Sequence, residues 1–152
     1  FAGVAFMDAR ILEVAENVNA NTGVITSANP EYEGKRARNT PPYTANVWTT
    51  YKFAPGWKVG GGAEAKGDRY GYNPSGAGAI PTLPGGTNFR PNTAPAYVRW
   101  DAMVSYDERT WGVRLNVKNL FDKLYFDSLY DNGGFAVPGT RRTVILTGQL
   151  RF

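Results

Sequence analysis

Hydrophobic and polar positions alternate with a period of two in six stretches of the chain. In the last, residues 143–152 (T-V-I-L-T-G-Q-L-R-F), Val144, Leu146, Gly148, Leu150 and Phe152 share one side of an extended strand. Thr143, Ile145, Thr147, Gln149 and Arg151 share the other. A soluble edge strand would alternate in the same way, so the segment gains meaning only if earlier ones repeat it. They do. Residues 43–53 set Tyr43, Ala45, Val47, Thr49, Tyr51 and Phe53 against Thr44, Asn46, Trp48, Thr50 and Lys52. Residues 57–70 return with Trp57, Val59, Gly61, Ala63 and Ala65 opposite Lys58, Gly60, Gly62, Glu64, Lys66 and Asp68. Residues 96–107 and 111–121 form a second such pair, and residues 2–12 a first strand with the weakest contrast.

The connections are of two kinds. Ala54-Pro55-Gly56 and residues 108–110 are tight turns, which makes each flanking pair a hairpin. Residues 13–39, 71–95 and 123–139 are long, polar and rich in Gly, Asn and Pro, with no periodicity, and read as irregular loops. The glycines of the second long loop fit neither phosphate-binding spacing, since no strand leads from them into a helix.

Composition narrows the chemistry. The 152 residues contain no Cys and no His, which removes Ser-His-Asp and Cys-His nucleophiles, His-ligated zinc and disulfides; the reading is of a protein that is not an enzyme. The net charge of +4 comes from scattered Lys and Arg, of which only Lys35, Arg36 and Arg38 cluster, so a nucleic-acid partner is not expected. Mean hydropathy is negative and no apolar run is long enough for a transmembrane helix; neither fact bears on a barrel, whose strands are only half apolar.

Two features select a membrane barrel over a soluble sandwich. One face of each clear strand carries almost no charge over a length that suits a tilted crossing of about 25 Å of hydrocarbon. The ends of those faces carry aromatics, Tyr43, Phe53, Trp57, Tyr106, Trp111, Phe121 and Phe152, as interfacial girdles would. The short turns then lie in the periplasm and the long loops outside. The expectation is an all-β, antiparallel transmembrane β-barrel, of which residues 1–152 supply six strands. Because six cannot close a barrel in lipid, the remaining strands are expected N-terminal to this stretch.

Several motifs together resemble one family: E-G-K-R-A-R-N-T-P-P-Y-T-A-N-V-W-T-T-Y at 33–51, G-W-K-V-G-G-G at 56–62, G-D-R-Y at 67–70, Y-V-R-W-D-A-M-V-S-Y at 97–106, L-N-V-K-N-L-F-D-K-L-Y at 115–125 and P-G-T-R-R-T-V at 138–144. The chain is similar to the C-terminal portion of a TonB-dependent outer-membrane siderophore receptor. That resemblance implies a barrel of about 22 strands, with these the last six, and an N-terminal plug domain outside this chain. It also implies a ferric siderophore as transported ligand with no covalently bound cofactor, energy delivered through TonB, and insertion by the outer-membrane assembly machinery. A passive porin-like or adhesive barrel is the alternative that the residues leave open.

Phe152, with Leu150, Leu146 and Val144 at period two, looks like the assembly signal of such proteins; an interfacial aromatic is the plainer role. For ligand contact the loop aromatics and cations Tyr32, Tyr72, Phe89, Arg90, Tyr125, Phe126, Tyr130 and Phe135 are candidates, because flat-faced chelates stack on rings and on guanidinium. Arg90, Tyr130 and Phe135 lead, each lying among Gly, Asn or Pro residues that make burial difficult. Asn119 and Asp122 are expected to close the strand top through side-chain to backbone hydrogen bonds. The inward charges Glu64, Lys66, Asp68, Arg99, Asp101 and Arg114 would face the barrel interior, where they could pair with each other or with the plug, and read most simply as a solvated face.

Overall fold

The computed structural model describes residues 1–13, 16–27, 33–71, 92–130 and 135–152. Six strands form one antiparallel sheet in chain order: β1 (Ala2–Phe6), β4 (Tyr43–Ala54), β5 (Trp57–Lys66), β8 (Tyr97–Asp107), β9 (Trp111–Lys118) and β12 (Thr143–Leu150). Three small hairpins stand on its long-loop end: β2 (Glu16–Val18) with β3 (Ile25–Ser27), β6 (Arg69–Gly71) with β7 (Asn92–Ala94), and β10 (Phe126–Leu129) with β11 (Ala136–Pro138).

The register carries the sequence pattern across the whole sheet. Val4 faces Ala45, Ala45 faces Ala65, and Ala65 faces Val98. Further along, Val59 faces Val104, Val104 faces Leu115, and Leu115 faces Leu146. Because side chains alternate strictly, this alignment gathers most apolar positions on one side and the charged ones on the other, with Trp48, Met103 and Ile145 as apolar residues on the polar side. The apolar side stays exposed, with Val47, Tyr51, Trp100, Leu146 and Leu150 all open. A sandwich would cover that side with a second sheet; a barrel wall turns it to lipid. The longer strands run 8 to 12 residues. At about 3.3 Å per residue and a tilt of about 40°, ten residues cross roughly 25 Å.

At the short-turn end the girdle is continuous. Phe53 and Trp57 lie 6.0 Å apart between ring centres, Trp57 and Tyr106 4.9 Å, and Tyr106 and Trp111 5.5 Å. The β4–β5 turn is only Pro55-Gly56, and Gly56 sits at φ +77° with its carbonyl accepting from the Asp107 amide. A Cβ there would meet the Tyr106 ring and the Asp107 carbonyl, so the turn needs glycine for both conformation and space. On the polar side the indole of Trp48 lies across the Gly60 and Gly62 track of β5, where any side chain would collide with it.

Strand ends differ from the sequence expectation for identifiable reasons. The first strand was expected over residues 2–12, but regular pairing stops at Phe6. Its partner strand begins just after Pro41-Pro42, and prolines give the ladder no N–H donors. Pairing resumes irregularly beyond them, with Ala37 donating to the Ala9 carbonyl and Ile11 to that of Lys35. The strand expected over 57–70 ends at Lys66, and Arg69–Gly71 swings away to pair with Asn92–Ala94. The strand expected over 111–121 ends at Lys118, because Asn119 takes a left-handed conformation at φ +52°. The loops expected to be irregular hold hairpins of three- and four-residue strands, too short to leave a periodic trace in sequence.

Candidate functional site

The buried apolar residues among those described, Ala94, Tyr97, Tyr125 and Leu129, sit at the base of the long loops, with Tyr97 at the very start of β8 and the others outside the six-stranded sheet. They mark where the β10–β11 hairpin folds back over the polar face at the tops of β5 and β8. Tyr125 stacks on Tyr97 with ring centres 4.3 Å apart. Gly71 lets Leu129 approach, since a Cβ would lie 2.9 Å from that of Leu129.

Polar groups fasten this hairpin. The guanidinium of Arg69, 2% exposed, donates to the main-chain carbonyls of Phe126 and Asp127. Lys66 Nζ donates to the Asp127 carboxylate at 3.0 Å, which holds that carboxyl below its usual range against the opposing effect of burial. Asn39, itself at φ +53°, receives the Leu129 amide at 2.9 Å and donates to the Leu129 carbonyl at 2.5 Å, so it binds the first long loop to the third. Arg99 Nη2 donates to Glu64 Oε2 at 3.0 Å and Nη1 to the Tyr125 hydroxyl at 3.1 Å; the Tyr97 hydroxyl donates to Glu64 Oε1 at 3.1 Å. Arg36 pairs with Asp68 at 2.7 Å. The sequence reading of Glu64, Lys66, Asp68, Arg99 and Asp101 as a solvated face is therefore corrected. Arg99 pairs within the wall with Glu64 and Asp101, while Lys66 and Asp68 pair with Asp127 and Arg36 of the long loops.

The strand top of β9 closes as the motif suggested. Asn119, 1% exposed, donates from Nδ2 to the carbonyls of Lys123 and Thr140, each at 2.9 Å, and accepts the Lys123 amide at 2.9 Å. Its own amide donates to Asp101 at 2.8 Å. Asp122 accepts from Arg141 Nε at 2.9 Å and Nη2 at 2.6 Å and from the Arg142 amide at 2.8 Å. These bonds, the Arg141 pair foremost, hold the Asp122 carboxyl well below the usual carboxylate range, and Asp122 in turn raises Arg141.

The sequence-nominated ligand residues divide. Tyr130 and Phe135 come together at the end of the β10–β11 hairpin, with ring centres 4.4 Å apart and planes 23° from parallel. They are 52% and 56% exposed, and the Tyr130 amide donates to the Phe135 carbonyl at 3.0 Å. Tyr125 is removed from the set: it is buried beneath the hairpin, and a Cβ at Gly139 would overlap its ring. Phe126 is half-buried, with its carbonyl taken by Arg69. Arg90, Tyr32, Tyr72 and Phe89 lie outside the described residues. Arg69 is the residue sequence reasoning missed. It stands in the quoted G-D-R-Y motif, but only the loop's return over the sheet gives it carbonyls to hold.

At the other end of the wall, Val144, Leu146 and Leu150 lie on the apolar side opposite Val117, Leu115 and Trp111, and Phe152 is fully exposed beyond them. Arg151 ties this end to the β8–β9 turn: its amide donates to Thr110, and its guanidinium to the Glu108 carbonyl at 2.7 Å and to Asp107 at 3.1 Å.

Comparison with known proteins agrees with this architecture. The family described as "TonB dependent receptor-like, beta-barrel" matches residues 2–120, and the chain belongs to that family. Its members are outer-membrane β-barrels of Gram-negative bacteria. The probable TonB-dependent siderophore receptor PiuA of Acinetobacter baumannii is 28% identical over 99% of this chain and 18% of its own length. Its crystal structure superposes with a TM-score of 0.73 over 97% of this chain and 18% of that one. The probable TonB-dependent receptor BfrD of Bordetella pertussis is 28% identical over 100% of this chain and 18% of its own. The ferric-catecholate import receptor Fiu of E. coli K12, in its closed form, is 29% identical with a TM-score of 0.66, over 79% of this chain and 16% of that one. The chain thus spans about a fifth of the length of these relatives.

Proposed function

We propose that this chain supplies barrel wall and three extracellular loops to a receptor that binds a ferric siderophore outside the cell and imports it with energy delivered through TonB. Family membership and the names of PiuA and Fiu support the class of cargo. The observation that carries the reading within this chain is the Tyr130–Phe135 pair, two stacked and half-exposed rings at the tip of a hairpin whose base is clamped to the wall. An aromatic pair held in place offers a flat chelate a surface without a large ordering cost on binding. In this reading Arg90 adds a cation for an anionic or catechol-rich ligand. The six strands are part of a barrel of about 22 whose lumen holds a plug domain. Phe152, Leu150, Leu146 and Val144 form the signal read by the outer-membrane assembly machinery.

The test is uptake of radiolabelled iron by cells that carry the full-length receptor as their sole importer, with and without TonB. TonB-dependent uptake of a ferric siderophore is expected. Uptake that persists without TonB, or cell adhesion without any uptake, would favour a passive or adhesive barrel. Tyr130→Ala with Phe135→Ala is expected to weaken siderophore binding by about tenfold, the worth of roughly 1.4 kcal/mol of ring contact. Unchanged affinity in the double variant would remove the pair from the ligand site.

A further inference from the structure

The first ring of the exposed pair, Tyr130, follows directly on Leu129, and Leu129 is held from both other loops. Its side chain, 6% exposed, lies against Gly71 of the second loop. Its main chain is held by the first. The Leu129 amide donates to Asn39 Oδ1 at 2.9 Å, and Asn39 Nδ2 donates to the Leu129 carbonyl at 2.5 Å. Successive residues of an antiparallel strand aim their main-chain groups at opposite edges. The Tyr130 amide donates across the hairpin to Phe135, so the groups of Leu129 point away from β11, at the free edge of β10. The carboxamide of Asn39 meets them there with one acceptor and one donor, as a neighbouring strand would.

Asn39 is itself fixed in place. It adopts φ +53°, a conformation that Asn tolerates, and its amide donates to the Tyr70 carbonyl of the second loop at 2.9 Å. Nearby, Arg36 pairs with Asp68 at 2.7 Å and lies 4.3 Å from the centre of the Tyr70 ring. One residue of the first loop is thus bonded to the second through its backbone and to the third through its side chain. The other polar anchors described for this hairpin, Arg69 and Lys66, hold Phe126 and Asp127, at the end of β10 far from the rings.

We propose that Asn39 is a positioning residue for ligand capture: acting through Leu129, it holds the Tyr130–Phe135 pair in the orientation that receives a flat ferric chelate. The role rests on the ring pair being a ligand surface, as proposed above. Asn39 acts by sparing the rings the ordering cost of binding, so its removal weakens affinity while leaving both rings in the chain.

The full-length receptor carrying Asn39→Gly, which keeps the left-handed backbone and removes the carboxamide, tests the role. Asn39→Asp is the second variant; it keeps the size and one acceptor but sets a carboxylate oxygen against the Leu129 carbonyl. Hydrogen–deuterium exchange is read first, in detergent and without ligand. Exchange over residues 126–137 should quicken about fivefold with Asn39→Gly, the weight of one net hydrogen bond, and in the same direction with Asn39→Asp, while residues 97–118 of the wall keep the parent rate. Affinity for a ferric siderophore that the parent receptor imports should fall about fivefold. Added to Tyr130→Ala with Phe135→Ala, the same substitution should cost nothing further, because a residue that acts through the rings has no effect once they are gone. Unchanged exchange would overturn the proposal without reference to any ligand. An equal loss of affinity with and without the rings would also overturn it, by placing the effect of Asn39 elsewhere. So would faster exchange with normal binding in Asn39→Gly. In that case a ring variant that binds normally locates the failure in the rings as ligand surface, and one that binds weakly locates it in Asn39.

Discussion

Replacing Asn119 by Ala should loosen the third long loop more than any other single change at the strand tops. The side chain makes three hydrogen bonds of 2.9 Å, and Ala removes all three. At about 1 kcal/mol each they sum to roughly 3 kcal/mol, less whatever water returns to the exposed Lys123 and Thr140 carbonyls. The backbone at φ +52° adds about 1 kcal/mol, since Asn tolerates the left-handed region better than Ala. A net loss of about 3 kcal/mol is expected. It is measured by urea unfolding of the purified full-length receptor in detergent, followed through its heat-modifiable migration on gels. Asn119→Gly separates the terms: it loses the same bonds without the backbone strain, and should be about 1 kcal/mol less damaging than Ala. An Ala variant within about 0.5 kcal/mol of the parent, or a Gly variant worse than Ala, would refute this account of the strand top.

Arg69→Met keeps the length and bulk of a buried side chain but leaves the Phe126 and Asp127 carbonyls without their donor. It should make residues 119–142 several-fold more susceptible to limited proteolysis while the barrel remains folded. The clamps at Asp122 and Asp127 both have folded pKa values lowered from 3.8, so their contribution is present above that value and is lost as pH falls through the lower folded ones. Protease susceptibility of the same loop should therefore stay flat from about pH 7 to pH 4 and rise only below, and a rise between pH 6 and 5 would contradict the assignment. Deletion of Phe152 should reduce the amount of barrel inserted in cells with little change in the stability of what does insert, because the residue is fully exposed among the described residues; normal insertion would withdraw its role as a signal.

Which parts were legible in the sequence follows from the length over which each is repeated. The two clear hairpins and the closing strand persist for 8 to 12 residues, long enough for a period of two to stand out, and the structure aligns their apolar sets across every pair. The aromatic ends of those faces were equally visible. The break at Asn119 showed as a fault in the alternation, and Asn is a residue that tolerates the conformation found there. The three loop hairpins were invisible because strands of three or four residues carry no measurable period. The truncation of β1 could be read only once its partner strand was known, since the interruption comes from prolines in the other chain segment.

The sequence by itself determined the two-sided wall, because strict alternation in a pleated strand leaves a side chain no choice of face once register is set. It also set the short turns at one end of the wall and the long loops at the other, through their unequal lengths. Only the tertiary structure decided which charges cancel. Residues distant in sequence, Arg69 with Phe126 and Asp127, Asn39 with Leu129, and Arg99 with Tyr125, meet because the third loop folds back over the sheet, while Arg99 meets Glu64 through the β5–β8 register. Charge pairing depends on distances of about 3 Å, and alternation along a strand places a side chain on a face without saying what comes to meet it.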